Sequence, residues 1–347
     1  QKKLTPAPKG MKPFYISHYG RHGSRNITNA DRIHSLLSLM KQAEEQKALT
    51  PLGLDVKKRV EIIEAHVHER TGELTAIGAQ QHKDIMRRMV ERFPEVFKDK
   101  ATITARSSIS IRSILSMSNA MVQLKAMRPK LPINQAASLR DMHHLFHFDA
   151  ELMAKASSDD VKAFYNTFCQ KYPTTDRVIA SLFSDTAFVT QHVNKESFVG
   201  HLFHLASDLQ DTNISDQLTL YDIFTEEELY FNWKKRNAEW YLGWSFCPKN
   251  SGKAPYSQRF LLRHIIENAD SCIQLPYPSA NLRYGHDTVL LKLTCLLGIN
   301  GYDLSTTDLE QLEQRGWIDY HVIPMAGNLD IVFYRKNPAD KDVLIKV

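Results

Sequence analysis

Near the start of the chain, Phe14-Tyr15-Ile16-Ser17-His18-Tyr19 runs into Gly20-Arg21-His22-Gly23-Ser24-Arg25, where two arginines stand around one histidine between glycines. Guanidinium forks match the oxygens of phosphate in pairs. An imidazole nitrogen can attack phosphorus or shuttle a proton near neutral pH, and glycine lets the backbone turn sharply beside a ligand. Arg112 forms a second such spot, at the start of a helical pattern that follows the strand-like Ala101–Arg106, with Arg106 earlier in the same turn. The third is Gly285-His286-Asp287-Thr288, another strand end entering a helix. Helix N-termini add N–H donors and a positive dipole end that favour anions. None of these triplets is specific alone. Together they place anion-binding groups, a nucleophile and an acid at three strand-to-helix turns, where ligands bind in open α/β sheets.

The elements that must position them are legible from periodicity. Asp31–Lys47 and residues 54–68 carry apolar residues at helical spacing. Thr75 reads as the N-cap of a helix running to about Phe93, which Pro94 ends. A long helix reaches about Met127. From Arg128 to Gln258 the pattern is mostly helical, rich in aromatics and histidines, with few strand signals. A helix at about 256–269 and a strand at Ala280–Gly285 follow. Next come an apolar helix over Thr288–Leu297, stopped by Gly298, and a strand at Leu329–Tyr334. Strands alternating with helices, interrupted once, predict an α/β fold. We expect a mixed, mainly parallel sheet flanked by helices in a core of 11–127 plus 259–347, with an inserted mostly α-helical domain over 128–258.

The 347 residues can bury a sizeable core, and 24% charged and 43% hydrophobic residues are ordinary for a globular protein. A net charge of +5, with 15 histidines to add on acidification, favours small anionic partners. Without a Lys/Arg run or basic-aromatic ladder, nucleic acid is not an expected partner. No apolar run approaches the roughly 18 residues of a membrane span. Gln1–Gly10 reads as a flexible leader on a chain whose targeting segment has been removed. Cys169, Cys247, Cys272 and Cys295 lack metal-type spacing and leave up to two disulfides or four thiols open.

In this order the three turns resemble the histidine acid phosphatase family, branch 2 of the histidine phosphatase superfamily, with its RHGxR and HD signatures. Gly72-Glu73-Leu74-Thr75 with Gly78 is similar to a further family segment. Ala105–Ser113 is similar to the turn that supplies a third phosphate-binding arginine. Leu282–His286 and Pro324–Leu329 lean toward the multiple inositol polyphosphate phosphatases and phytases, which usually carry His-Ala-Glu where this chain has His286-Asp287-Thr288. The resemblance implies that His22 is the nucleophile of a phosphohistidine intermediate and that Arg21, Arg25, Arg112 and His286 hold the phosphoryl group. It implies that Asp287 protonates the leaving alkoxide. The expected activity is metal-independent, cofactor-free phosphomonoester hydrolysis, with phytate-like inositol polyphosphates as substrates and a bacterial periplasm or exterior as setting. General acid or sugar phosphatase activity is the alternative, followed by a phosphoglycerate-mutase-like enzyme or a non-catalytic binder of phosphate esters. Cations around Asp287 favour its ionised form; substrate phosphate offsets them, and turnover is expected to be better below pH 7.

Other residues carry weaker signals. Arg140 and His143 are candidate substrate-pocket residues, and Asp287 doubles as a helix cap. His18 is read as structural. His143, His144 and His147, like His201 and His204, are spaced like metal ligands, but no completing cysteine or carboxylate accompanies them, so metal binding is not expected. Asn26-Ile27-Thr28 and Asn213-Ile214-Ser215 fit the glycan acceptor pattern, the first too close to Arg25 to be used.

Overall fold

The computed structural model describes residues 5–340 and 342–347. Its six-stranded sheet contains β1 (Lys12–Arg21), β2 (Thr102–Ser107), β3 (Ile133–Ala137), β4 (Ser279–Gly285), β5 (Asn328–Arg335) and β6 (Leu344–Lys346), in the order β3-β2-β4-β1-β5-β6. The first four are parallel in sheet order through β1, and β5 and β6 run antiparallel to their neighbours. This is the mixed, mainly parallel α/β sheet expected from the sequence. β3 and β6 have no counterpart in that reading; β3 is an exposed edge strand of polar and small residues inside the stretch expected to be helical.

Register decides which residues share an edge. Arg21 pairs with Gly285 and Tyr19 with Arg283, while Ser107 of β2 pairs with Tyr284 of β4. The carboxyl ends of β1, β2 and β4 therefore finish side by side. Alternation along the strands then separates two faces. Ile16, Ile103, Ala105, Ala280, Leu282 and Tyr284 join a core with Met86, Met89 and Val90 of helix Ala76–Arg92 and Met117, Met121 and Leu124 of helix Ile111–Met127. Thr104, Arg106, Asn281, Arg283 and Ser17 share the opposite, polar face: Asn281 Nδ2 donates to Thr104 Oγ1 (2.6 Å) and Arg283 to Ser17 Oγ (2.9 Å). Helix Arg259–Ile273 packs against β1.

By packing, the chain divides into two compact units. One comprises residues 1–23, 78–157 and 243–347 and holds the sheet; the other comprises 24–77 and 158–242. This division differs from an insertion over 128–258. Residues 24–77 fall in the helical unit because Ile33, Leu36 and Met40 of helix Ala30–Glu45, and Val56, Val60 and Ile63 of helix Pro51–Val67, share one apolar core. Their partners there are Val178, Leu182, Leu202 and Leu205. Residues 128–157 and 243–258 cluster with the sheet. The four cysteines are free thiols. No helix of the described residues is long and apolar enough to cross a membrane.

Candidate active site

The strand ends deliver Arg21, His22, His286 and Asp287 to one place. The His22 N–H donates to Gly285 O (2.9 Å), and the Arg21 and Ala326 N–H groups donate to Gly327 O (2.8 Å) and His22 O (3.0 Å). The Gly23 N–H donates to Ser116 Oγ of helix Ile111–Met127 (3.1 Å). Ser113 Oγ of the same helix donates to Gly285 O (3.3 Å). The loop is thus tied into β4 and the helix that carries Arg112 in its first turn. Burial is deep, with Arg21 8%, His22 2% and His286 9% exposed.

His22 Nδ1 lies 2.9 Å from Gly23 O, an acceptor only, so Nδ1 carries the proton and the Nε2 lone pair is left for chemistry. Burial, then the neighbouring Arg21 and Arg112 cations, holds its pKa well below the usual histidine value despite Asp287, and so favours the neutral ring. His286, 5.7 Å away between ring centroids, is pushed down to about 4 by burial and by Arg112. For Asp287, burial raises the pKa, but attraction from the Arg21 cation, with the Thr288 N–H, outweighs it and brings the carboxyl down to about 2. Arg21 Nη2 pairs with Asp287 Oδ2 at 2.7 Å, while Nη1 donates to Ile323 O. Asp287 also accepts the Thr288 N–H at 2.8 Å, but the N-cap of helix Asp287–Leu296 is His286 and no side chain caps it, so Asp287 stands in the first turn without the capping role expected from the sequence.

Arg25 belongs to the helical unit, where its Nη1 pairs with Asp208 (3.1 Å). Ser24 O accepts from the Thr75 backbone, and the Thr75 hydroxyl bonds Ser24 O and Asp211 O. The structure brings Arg21, His22, Arg112, His286 and Asp287 together; it does not bring Arg140 and His143 to them. Arg140 is exposed and lines a cavity with Arg106 and Arg283, and His143 packs on Phe260 (4.5 Å) and His147 (5.5 Å). His201 bonds Ser35 and His204 bonds Arg236; no group of three or more His, Cys, Asp or Glu among the described residues is placed to hold a metal ion. His18 is buried and bonded to Asp330 (2.6 Å), and Asn26 is fully buried while Asn213 is exposed.

Three contributors escaped the sequence reading. Ser108 Oγ lies 2.9 Å from His286 Nε2, and Phe146 packs its ring 4.6 Å from that imidazole. Tyr19 Oη accepts the His286 N–H (3.2 Å) and donates to Leu145 O (3.2 Å). Each position depends on strand register or on segment 138–147, and serine, tyrosine and phenylalanine there carry no spacing signal.

Parallel strand ends, buried cations, a neutral imidazole and a carboxyl define a site for phosphate-ester chemistry. The chain belongs to the histidine phosphatase superfamily (branch 2), whose family model matches residues 20–347. It is accordingly a hydrolase of the histidine acid phosphatase type. No curated protein matches the chain in sequence. Among solved structures, it is similar to the Bifidobacterium longum multiple inositol polyphosphate phosphatase in complex with inositol hexasulfate, with a TM-score of 0.84 and 16% identity over 96% of this chain and 86% of that one. It is similar to the phytase from D. castellii, with a TM-score of 0.67 and 14% identity over 99% of this chain and 74% of that one. The Klebsiella sp ASR1 phytase gives a TM-score of 0.53 and 13% identity over 96% and 82%. At these identities the likeness is one of fold.

Proposed function

We propose that this phosphatase hydrolyses phosphomonoesters through a phosphohistidine at His22, without a metal ion, and that inositol polyphosphates such as phytate are its substrates. The observation that carries the reading is the state of His22: neutral, with Nδ1 protonated toward Gly23 O and Nε2 free beside Arg21, Arg112 and His286. Phosphoryl transfer asks a protein mainly to position the group and neutralise its equatorial oxygens. Arg21 and Arg112 do this with His286; Arg25 joins them on the strength of the RHGxR motif. His22 Nε2 forms a bond to phosphorus as the ester P–O bond breaks, and the departing alkoxide takes a proton from Asp287. Water then attacks the phosphohistidine, Asp287 accepts a proton from it, and the N–P bond breaks.

In the free site Asp287 is ionised at every working pH. The proton therefore arrives with substrate: a phosphomonoester monoanion, whose second pKa is about 6, brings both a proton and the negative charge that offsets Arg21. Activity is expected to fall above about pH 6.

The inositol polyphosphate assignment is supported by the net charge of +5 and by the inositol hexasulfate bound to the B. longum relative. Substrate contacts at Arg140 and His143, the boundaries of an insertion over 128–258 and a bacterial periplasmic or extracellular setting rest on the sequence reading. The test is phosphate release at pH 4–7, with chelator, from phytate, a sugar phosphate and an aryl phosphate. Release from phytate that His22→Ala abolishes is the expected result; release only from the smaller esters discards the inositol polyphosphate assignment and favours a general acid or sugar phosphatase.

A further inference from the structure

Arg283 is 2% exposed in the middle of a parallel sheet, a place where arginine is almost never found unless paired. One of its nitrogens donates to Ser17 Oγ, and its Nη2 has no hydrogen-bond partner. Among the described residues it forms no ion pair. The groups that act on it are hydroxyls and a thiol: Tyr15, Cys272 and Tyr19. Guanidinium does not give up its proton in proteins, so a buried charge stands without a counter-charge.

The guanidinium lines a cavity of about 200 Å³ whose other cationic walls are Arg106 and Arg140. His144 and His264 stack on each other in its wall, ring centroids 3.8 Å apart, burial shifts both pKa values down, and His264 Nδ1 is a second buried atom without a hydrogen-bond partner. Thr104, Asn268 and Asn281 complete the polar wall. Asp141 is the carboxylate there, already accepting from Ser138 (3.0 Å) and 3.7 Å from Arg106 Nε. Three guanidiniums thus face one carboxylate, arranged from exposed Arg140 at the mouth to Arg283 at the floor. The volume is below the ~300–1,000 Å³ of sites for drug-sized ligands, a size for one tetrahedral oxyanion with water. None of the residues that surround His22 lines it.

We propose that this cavity is a second anion site, which takes a single small oxyanion such as inorganic phosphate and supplies the missing counter-charge of Arg283. The site stands independently of the chemistry proposed at His22, because it is read as binding rather than turnover. Its occupant lies beside the segment of His144, whose next residue, Leu145, accepts from the Tyr19 hydroxyl that holds the His286 N–H.

Equilibrium dialysis of the whole protein with radiolabelled orthophosphate tests the site. Two phosphates per chain are expected. Arg283→Met removes one, Arg112→Ala removes the other, and sulfate competes at both. Excess inositol hexasulfate, which carries no phosphate ester to hydrolyse, displaces only the one at His22, being too bulky for the cavity. Should Arg283→Met fail to fold, His264→Leu and Arg140→Ala each weaken the second phosphate at least tenfold. A folded Arg283→Met chain that binds as many phosphates as the parent overturns the proposal. So do hexasulfate displacement of both ions and a second affinity unchanged in His264→Leu and Arg140→Ala. If Arg112→Ala keeps both phosphates while Arg283→Met loses one, the cavity stands and the role given to Arg112 falls.

Discussion

At the residue scale, the surroundings hold Asp287 in its charged form and His22 toward its neutral form. The carboxyl is ionised down to about pH 2, and burial with the Arg21 cation shifts the imidazole pKa well below that of a free histidine. In the proposed mechanism the nucleophile is ready in the free protein, and the acid becomes ready only with substrate. This separates leaving groups. Asp287→Asn is predicted to lower kcat for alkyl phosphates by roughly 10²–10⁴-fold at pH 5. It should cost far less for p-nitrophenyl phosphate, whose leaving group needs no proton. Equal losses on both substrates would remove Asp287 from the acid role. A second prediction concerns Ser108, whose hydroxyl lies within bonding distance of His286. Ser108→Ala should cost about 1–3 kcal/mol of transition-state stabilisation, read as a roughly five- to 160-fold lower kcat/KM. Unchanged kcat/KM would make that contact incidental.

At the element scale, the site is a product of close backbone approach. A Cβ at Gly285 would lie 2.0 Å from Tyr19 Oη, and one at Gly23 would lie 2.5 Å from Gly78 O. The two substitutions are therefore predicted to differ. Gly285→Ala meets a side-chain tip, so Tyr19→Phe in the same chain should restore part of its lost stability. Gly23→Ala meets backbone and should cost at least about 3 kcal/mol with no such rescue. Thermal melts of the four variants decide it, and an equal response to Tyr19→Phe would refute the distinction. The same geometry marks what the sequence could show. Strong apolar periodicity and strand-to-helix turns made β1, β2, β4, β5 and the helices after them legible, along with the residues at their ends. β3 and β6 are short edge strands without an apolar run. The supports at Tyr19, Ser108 and Phe146 depend on register between segments more than 100 residues apart, as in the Tyr19–Leu145 bond. The burial of Arg283 is not legible in the sequence, because nothing local says that a strand is covered on both faces.

For the whole molecule, the distribution of histidine sets an acid limit. Burial is the main cause that lowers His82 and His204 to about 3 and His264 and His286 to about 4. Unfolded, each titrates near 6.5. Below that pH the unfolded chain binds more protons than the folded one, so stability is full above about pH 6.5 and is lost progressively toward pH 4 and below. Tm is predicted to fall by several degrees between pH 7 and pH 5. A Tm that is flat or rises over that interval would contradict the neutral burial of these rings. The proposed catalysis by a protonated substrate and stability from neutral histidines thus pull in opposite directions, and the working optimum is expected in mild acid. The helical unit illustrates a different limit of sequence reading. Residues 24–77 follow the motif directly in the chain, yet pack with helices more than a hundred residues downstream.

The covalent intermediate is the most direct test of the chemistry proposed here. The protein would be mixed with phosphate-labelled substrate, quenched within a turnover in alkaline detergent, where phosphohistidine survives, and digested to locate the label. Phosphohistidine chemistry predicts label on the peptide that contains His22 and none in His22→Ala. Label on another residue, or turnover with no labelled protein in the parent chain, would contradict it.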